Sequence, residues 1–152
     1  DDIATQDYDV GVTLRDQSEL RGEWYEEHQD IVRFVNAGVI FFNDTPATSS
    51  FLDEWECLTD EVGNDQMALN TLTCPADYPP IGSIKVINGV RVKYFSCLEY
   101  NFYYFDELLP ANARIFHWKG TVRQYYPYNW KARIYWTFVI PLKRLARALL
   151  RR

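Results

Sequence analysis

Tyr8, Val10, Val12 and Leu14 fall on alternate positions, with Asp9, Gly11 and Thr13 between them. This loose period of two, carried partly by β-branched residues, predicts a short strand over residues 8–14. Residues 15–30 turn polar and acidic around Gly22 and two aromatics, which predicts a loop or a short helix over a site. Residues 34–42 form an apolar run broken only by Asn36 and Gly38. Its length and β-branching predict a buried central strand. Asn43, Asp44 and Thr45 then offer capping oxygens, Pro46 suits a first helical turn, and Phe51, Leu52, Trp55 and Leu58 recur at helical spacing. A helix over residues 45–60 follows.

Gly63 and Asn64 interrupt that pattern, and residues 65–72 read as a second, short helix with Met67, Ala68 and Leu72 inward. Three prolines make residues 74–82 a loop. Residues 84–87 and 90–95 flank Asn88-Gly89, the dipeptide whose tolerance of positive φ favours a tight hairpin. A further strand is expected over residues 114–118, then an aromatic loop over 123–130 and a basic tail over 131–152. With no internal repeat or low-complexity block, the expectation is one α/β domain with a mixed, partly antiparallel sheet, spanning residues 1–130, plus the tail.

Composition changes this picture in two respects. An aromatic content of 16% within 47% hydrophobic residues gives enough apolar surface to exclude disorder. The net charge of −5 hides a split, because all 21 acids and six bases lie in residues 1–107 while ten bases and no acid lie in 108–152. A basic end of this kind points to an anionic partner such as a nucleotide phosphate, a lipid surface or nucleic acid. Cys57, Cys74 and Cys97 are widely spaced with no C-x-x-C pair, so zinc or redox chemistry is not indicated. Thiols in a reducing, cytoplasmic setting are the expectation. No apolar run approaches the length of a membrane span.

Three motifs carry candidate chemistry, namely Asn36-Ala37-Gly38 within an apolar strand, Asn64-Asp65-Gln66 at a helix start, and His117-Trp118-Lys119-Gly120 with Arg123 close behind. Each has a plain structural reading. Asn36 and Gly38 can mark a β-bulge with the polar group bonded to backbone. Asn64 or Asp65 can be an ordinary helix cap. His117 can sit at a strand end beside a turn glycine.

In this order the motifs resemble the donor-binding half of a nucleotide-diphospho-sugar transferase with the GT-A fold, close to glycosyltransferase family 8. The resemblance covers most of residues 8–123 and implies transfer of a sugar from a nucleoside diphosphate, with UDP the expected nucleotide, to a glycan or lipid-linked acceptor. It implies Mn2+ or Mg2+, with the His117 imidazole as one metal ligand. It places Lys119, Gly120 and Arg123 at the diphosphate, and Asn36, Gly38 and Asp65 at the donor sugar. Asp65 and Gln66 become the catalytic candidates, and Asn101 the candidate on the acceptor side.

The pattern departs from the family in two places. Arg123 and Gln124 stand before Tyr125 where the family commonly has a Lys-Pro-Trp-like end. The family's metal-binding Asp-x-Asp is also missing, since Asp7-Tyr8-Asp9 has the spacing but leads straight into the first strand. The chain is therefore expected to be the C-terminal half of a catalytic domain, incomplete at its N-terminus.

The tail reads separately. Residues 131–152 carry seven bases, and Leu142, Leu145, Ala146, Leu149 and Leu150 can share one helical face. That arrangement suits an interfacial helix on anionic lipid, and so a peripheral membrane location. A packed C-terminal helix is the second reading and nucleic acid the last. For the whole chain, the alternative to a transferase is a non-catalytic carbohydrate-binding or membrane-associated scaffolding module, with Tyr and Trp stacking on sugar rings.

Overall fold

The computed structural model describes residues 3–21, 23–28, 33–103, 112–115, 117, 138 and 142. The elements in chain order are β1 (Val10–Leu14), α1 (Glu23–His28), β2 (Val35–Phe42), α2 (Pro46–Val62), α3 (Asp65–Thr73), β3 (Ile84–Ile87), β4 (Val90–Ser96) and α4 (Cys97–Tyr100). The strands form one four-stranded mixed sheet in the order β2-β1-β4-β3, so the chain is a mixed α/β protein. β1 runs antiparallel to β2 and parallel to β4, and β3 and β4 pair antiparallel as the expected hairpin. Asn88 and Gly89 take the positive φ values of 50° and 83° that this turn needs.

The local chemistry of the α2–α3 pair matches the sequence reading. Thr45 caps α2 by accepting from the Thr48 amide, Pro46 follows it, and Gly63 ends the helix in a left-handed conformation while its N–H donates to Thr59 O. Asn64 caps α3 by accepting from the Met67 amide. Phe51, Leu69 and Leu72 bury against Val10, Val12, Val35, Val92 and Tyr94 to form the main core, with Trp55 and Leu58 packed at its margin. Leu52, expected inward, is 41% exposed, because it sits one position round from Phe51 on the helix surface.

One expectation about the sheet is corrected. The apolar run of residues 34–42 is not the central strand, which is β1, buried along its whole length. β2 lies at the edge among the described residues. Between Thr13↔Asn36 and Val12↔Ile40 the register jumps, so Ala37, Gly38 and Val39 oppose nothing on β1 and form an enlarged bulge. The outward N–H and C=O groups of Val35 and the N–H of Ala37 would be open to another strand, yet side-chain amides of α3 occupy them. Gln66 Nε2 donates to Val35 O at 2.6 Å, and Gln66 Oε1 accepts from Ala37 N at 2.8 Å. Asn70 Oδ1 accepts from Val35 N at 3.1 Å, and its Nδ2 donates to Val35 O at 3.2 Å. Two amides four residues apart on one helix face thus imitate a neighbouring strand and block the edge.

The expected strand over 114–118 is, in its described part, an irregular connection held by backbone bonds to Phe102 and to Glu99 O, which accepts from the Arg114 and Ile115 amides. Phe102 N donates to Ile115 O and His117 N to Phe102 O, each at 2.9 Å. An ion pair between the buried Asp9 and the partly exposed Arg91 ties the opposite end of the sheet together. Asp9 accepts from the Arg91 amide at 2.8 Å, from Arg91 Nη2 at 2.7 Å and from Thr45 Oγ1 at 3.0 Å. The Arg91 guanidinium holds the Asp9 carboxyl down at about 2. With Asp9 so committed and Asp7 facing Lys93 at 3.4 Å, Asp7-Tyr8-Asp9 is a structural feature, as its place before β1 suggests.

Candidate functional site

The bulge of β2 is where the sequence motifs meet. Gly38 sits directly under the His117 ring, so close that a Cβ at residue 38 would collide with Nδ1 and Cε1 of the imidazole and come within 2.8 Å of Asn101 Oδ1. The glycine expected to make room for a ligand therefore makes room for His117. Asn36 Oδ1 turns back to accept from Gly38 N at 2.9 Å, which fixes the bulge. This is the backbone-bonded arrangement that a structural role alone would produce. The other end of the same amide differs, since Asn36 Nδ2 is buried with no hydrogen-bond partner. An orphaned buried donor of this kind is uncommon in a folded protein.

A chain of hydrogen bonds sets the chemistry of the imidazole. Thr13 Oγ1 donates to the carbonyl of Asn36 at 3.1 Å, which uses its one proton. Asn101 must therefore present Nδ2 to Thr13, as it does at 2.8 Å. Its Oδ1 then faces His117 Nδ1 at 2.9 Å and requires a donor there. In the neutral ring the lone pair is thereby assigned to Nε2, the arrangement typical of an imidazole that binds a metal or accepts a proton. Thr13 and Asn101 are both fully buried, so this relay is rigid.

Placement of the remaining candidates is uneven. Asn101, expected on the acceptor side, is wholly internal, and its side chain is committed to Thr13 and His117. Asp65 is exposed at the start of α3, where its carboxylate accepts from the Gln66 amide at 2.8 Å. The Gln66 side chain engages β2 with both its ends, so its first task is to hold the bulge. Lys119, Gly120 and Arg123 lie outside the described residues, as does nearly all of the 131–152 tail. Within it only Phe138 and Leu142 are described, and both are exposed.

Sequence reasoning missed Thr13 and Asn70. Asn70 was legible as the residue four after Gln66 on the same helical face. Thr13 was legible only as a polar member of an otherwise apolar strand.

Among the described residues no three His, Cys, Asp or Glu side chains gather into a group able to hold a metal ion. His117 could contribute one nitrogen at most, and any further ligands would have to come from outside that set. None of the three cysteines is in a disulfide, and Cys57 is exposed while Cys97 is buried. No helix among the described residues is long and apolar enough to cross a membrane. Compared with known proteins, the chain matches no family model, and no curated protein or solved structure matches it.

Proposed function

We propose that this chain carries the donor-sugar side of a metal-dependent glycosyltransferase of the GT-A type, resembling glycosyltransferase family 8. The observation that carries the reading is the convergence of Asn36, Gly38, Gln66, Asn101 and His117, from four separate stretches of sequence, on one bulge with an orphaned amide donor. In the reaction, the bond from the sugar's anomeric carbon to the diphosphate breaks and a bond to an acceptor hydroxyl oxygen forms, the hydroxyl proton being lost. Asn36 Nδ2 donates to a hydroxyl of the donor sugar and so fixes its orientation. His117 Nε2 would be the ligand offered to Mn2+ or Mg2+, which when bound would offset the charge of the departing diphosphate. Lys119, Gly120 and Arg123 would add cationic and amide contacts to the same group. Asp65 accepts from sugar hydroxyls, with the acceptor a glycan or a lipid-linked saccharide.

The bond most in need of help is that to the leaving group, and the residues argued here supply position more than charge. Misplacing a reacting group by about 1 Å can cost on the order of 100-fold in rate. The test is release of UDP from UDP-glucose or UDP-galactose in the presence of Mn2+. Release should fall at least about tenfold in Asn36→Ala and in His117→Ala. Equal release by wild type and both variants would remove the bulge from the reaction. A second reading, saccharide binding without transfer, is favoured by the double engagement of Gln66 with the β2 backbone. Under it, His117→Ala leaves glycan binding intact.

A further inference from the structure

At the carboxyl ends of the parallel strands β1 and β4 lies an open cleft with a volume of about 540 Å3. We propose that this cavity binds a neutral saccharide ring. Its role as the acceptor subsite rests on the transferase reading, but the binding itself does not. The place is where ligands collect in sheets of this kind, because the strand ends and the loops leaving them converge there. The volume lies within the roughly 300–1,000 Å3 typical of small-ligand sites.

The lining selects the chemical class. Pro79, Ile81 and Leu98 offer apolar faces on which C–H groups of a ring can lie, while Arg15, Asp16 and Gln17 offer both donors and acceptors. Arg15 is only 12% exposed, so its side chain is held in the wall and does not extend into solvent. Each of these charged groups already has a polar partner. Arg15 Nη1 stands 3.6 Å from Glu19 Oε2, and the Asp16 carboxylate accepts from the Ser18 amide and hydroxyl. A phosphate would face the Asp16 carboxylate, and an amine would face the Arg15 guanidinium. A neutral polyol, whose hydroxyls donate and accept at once, meets neither objection.

The cavity also has a physical link to the bulge. Leu14 and Arg15 follow Thr13 on the chain that carries the relay to His117, and Tyr78 Oη donates to Arg15 O at 2.8 Å, which fixes the loop. On the other side, the short helix α4 puts Leu98 on the cavity and Asn101, its C-cap, under His117.

The test titrates the whole chain with methyl α-glucoside, methyl β-galactoside and methyl α-mannoside, followed by amide NMR. Glucose 6-phosphate and glucosamine serve as anionic and cationic comparisons. At least one neutral glycoside should shift the amides of Gln17 and Leu98 with a Kd of about 1–10 mM. Leu98→Trp, which fills the cavity, should abolish the shifts, and Gln17→Ala should weaken them several-fold with the folded spectrum retained. No shift with any neutral glycoside, the same shifts in Leu98→Trp, or tighter binding of the charged sugars would each overturn the proposal. Glycoside binding that persists when UDP release from nucleotide sugars is absent supports the cavity and removes only its acceptor role.

Discussion

Replacing Gly38 with alanine isolates the contact on which the site geometry turns. The new methyl group would overlap the His117 ring, and the backbone at residue 38 has no positive φ to complicate the result. Two relaxations are open. If His117 stays, the overpacking costs about 1–3 kcal/mol. If it moves, the bond to Asn101 is lost and Asn101 Oδ1, on a fully buried residue, is left unpaired, again at about 1–3 kcal/mol. Either route gives a loss of about 2 kcal/mol, measurable as a lower urea midpoint at constant slope. In a His117→Ala background most of the obstruction is gone, and only the 2.8 Å approach to Asn101 Oδ1 opposes the methyl. The cost of Gly38→Ala should then drop to about 1 kcal/mol or less, a coupling of about 1–2 kcal/mol in the double-mutant cycle. A Gly38→Ala variant within about 0.5 kcal/mol of wild type, or a strictly additive cycle, would refute the close packing of His117 on the bulge.

Other outcomes follow from the same structure. Asn70→Ala removes the partner of Val35 N and one partner of Val35 O, so it should cost about 2–4 kcal/mol in a denaturant titration. It should also increase concentration-dependent association, read by sedimentation, because the β2 edge opens. The Asp9 carboxyl ionises at about 2 in the folded chain against 3.8 for an ordinary aspartate, so its folded pKa is depressed. Its contribution of about 2 kcal/mol is therefore full above about pH 4 and lost as pH falls through about 2. Stability measured between pH 2 and 5 should show this decline in wild type and lack that part of it in Asp9→Asn. If residues 131–152 form an interfacial helix, the chain should sediment with vesicles rich in phosphatidylserine, more weakly as salt rises, and deletion of 131–152 should remove the effect.

Much of the fold was legible because local signals agreed. Thr45-Pro46 and Gly63 bracket α2, Asn64 starts α3, and Asn88-Gly89 closes the β3–β4 hairpin, each by backbone chemistry confined to a few residues. The sheet order was not legible. The apolar run in β2 has the composition of a central strand, but its burial comes from the α3 amides and the His117 side as much as from neighbouring strands. Only tertiary pairing reveals that β1, the less apolar segment, lies between two others. The site shows the same division. Asn36, Gly38, Gln66 and His117 stood out by residue type and spacing, whereas the relay through Thr13 and Asn101 joins residues 88 positions apart and has no local signature. Asn101 was singled out for the acceptor, yet its buried amide serves to orient His117.

The central claim is that the β2 bulge receives the sugar of a nucleotide donor beside a metal held by His117. The most direct measurement is an NMR titration of the chain with UDP-glucose and UDP-galactose in the presence of Mg2+. It would follow the side-chain amides of Asn36 and Gln66, the Gly38 backbone amide and the His117 ring. The account predicts saturable shifts in these resonances, largest at Asn36 Nδ2, that disappear in His117→Ala. Saturating concentrations that leave all of them unmoved, or move them equally with and without His117, would contradict it.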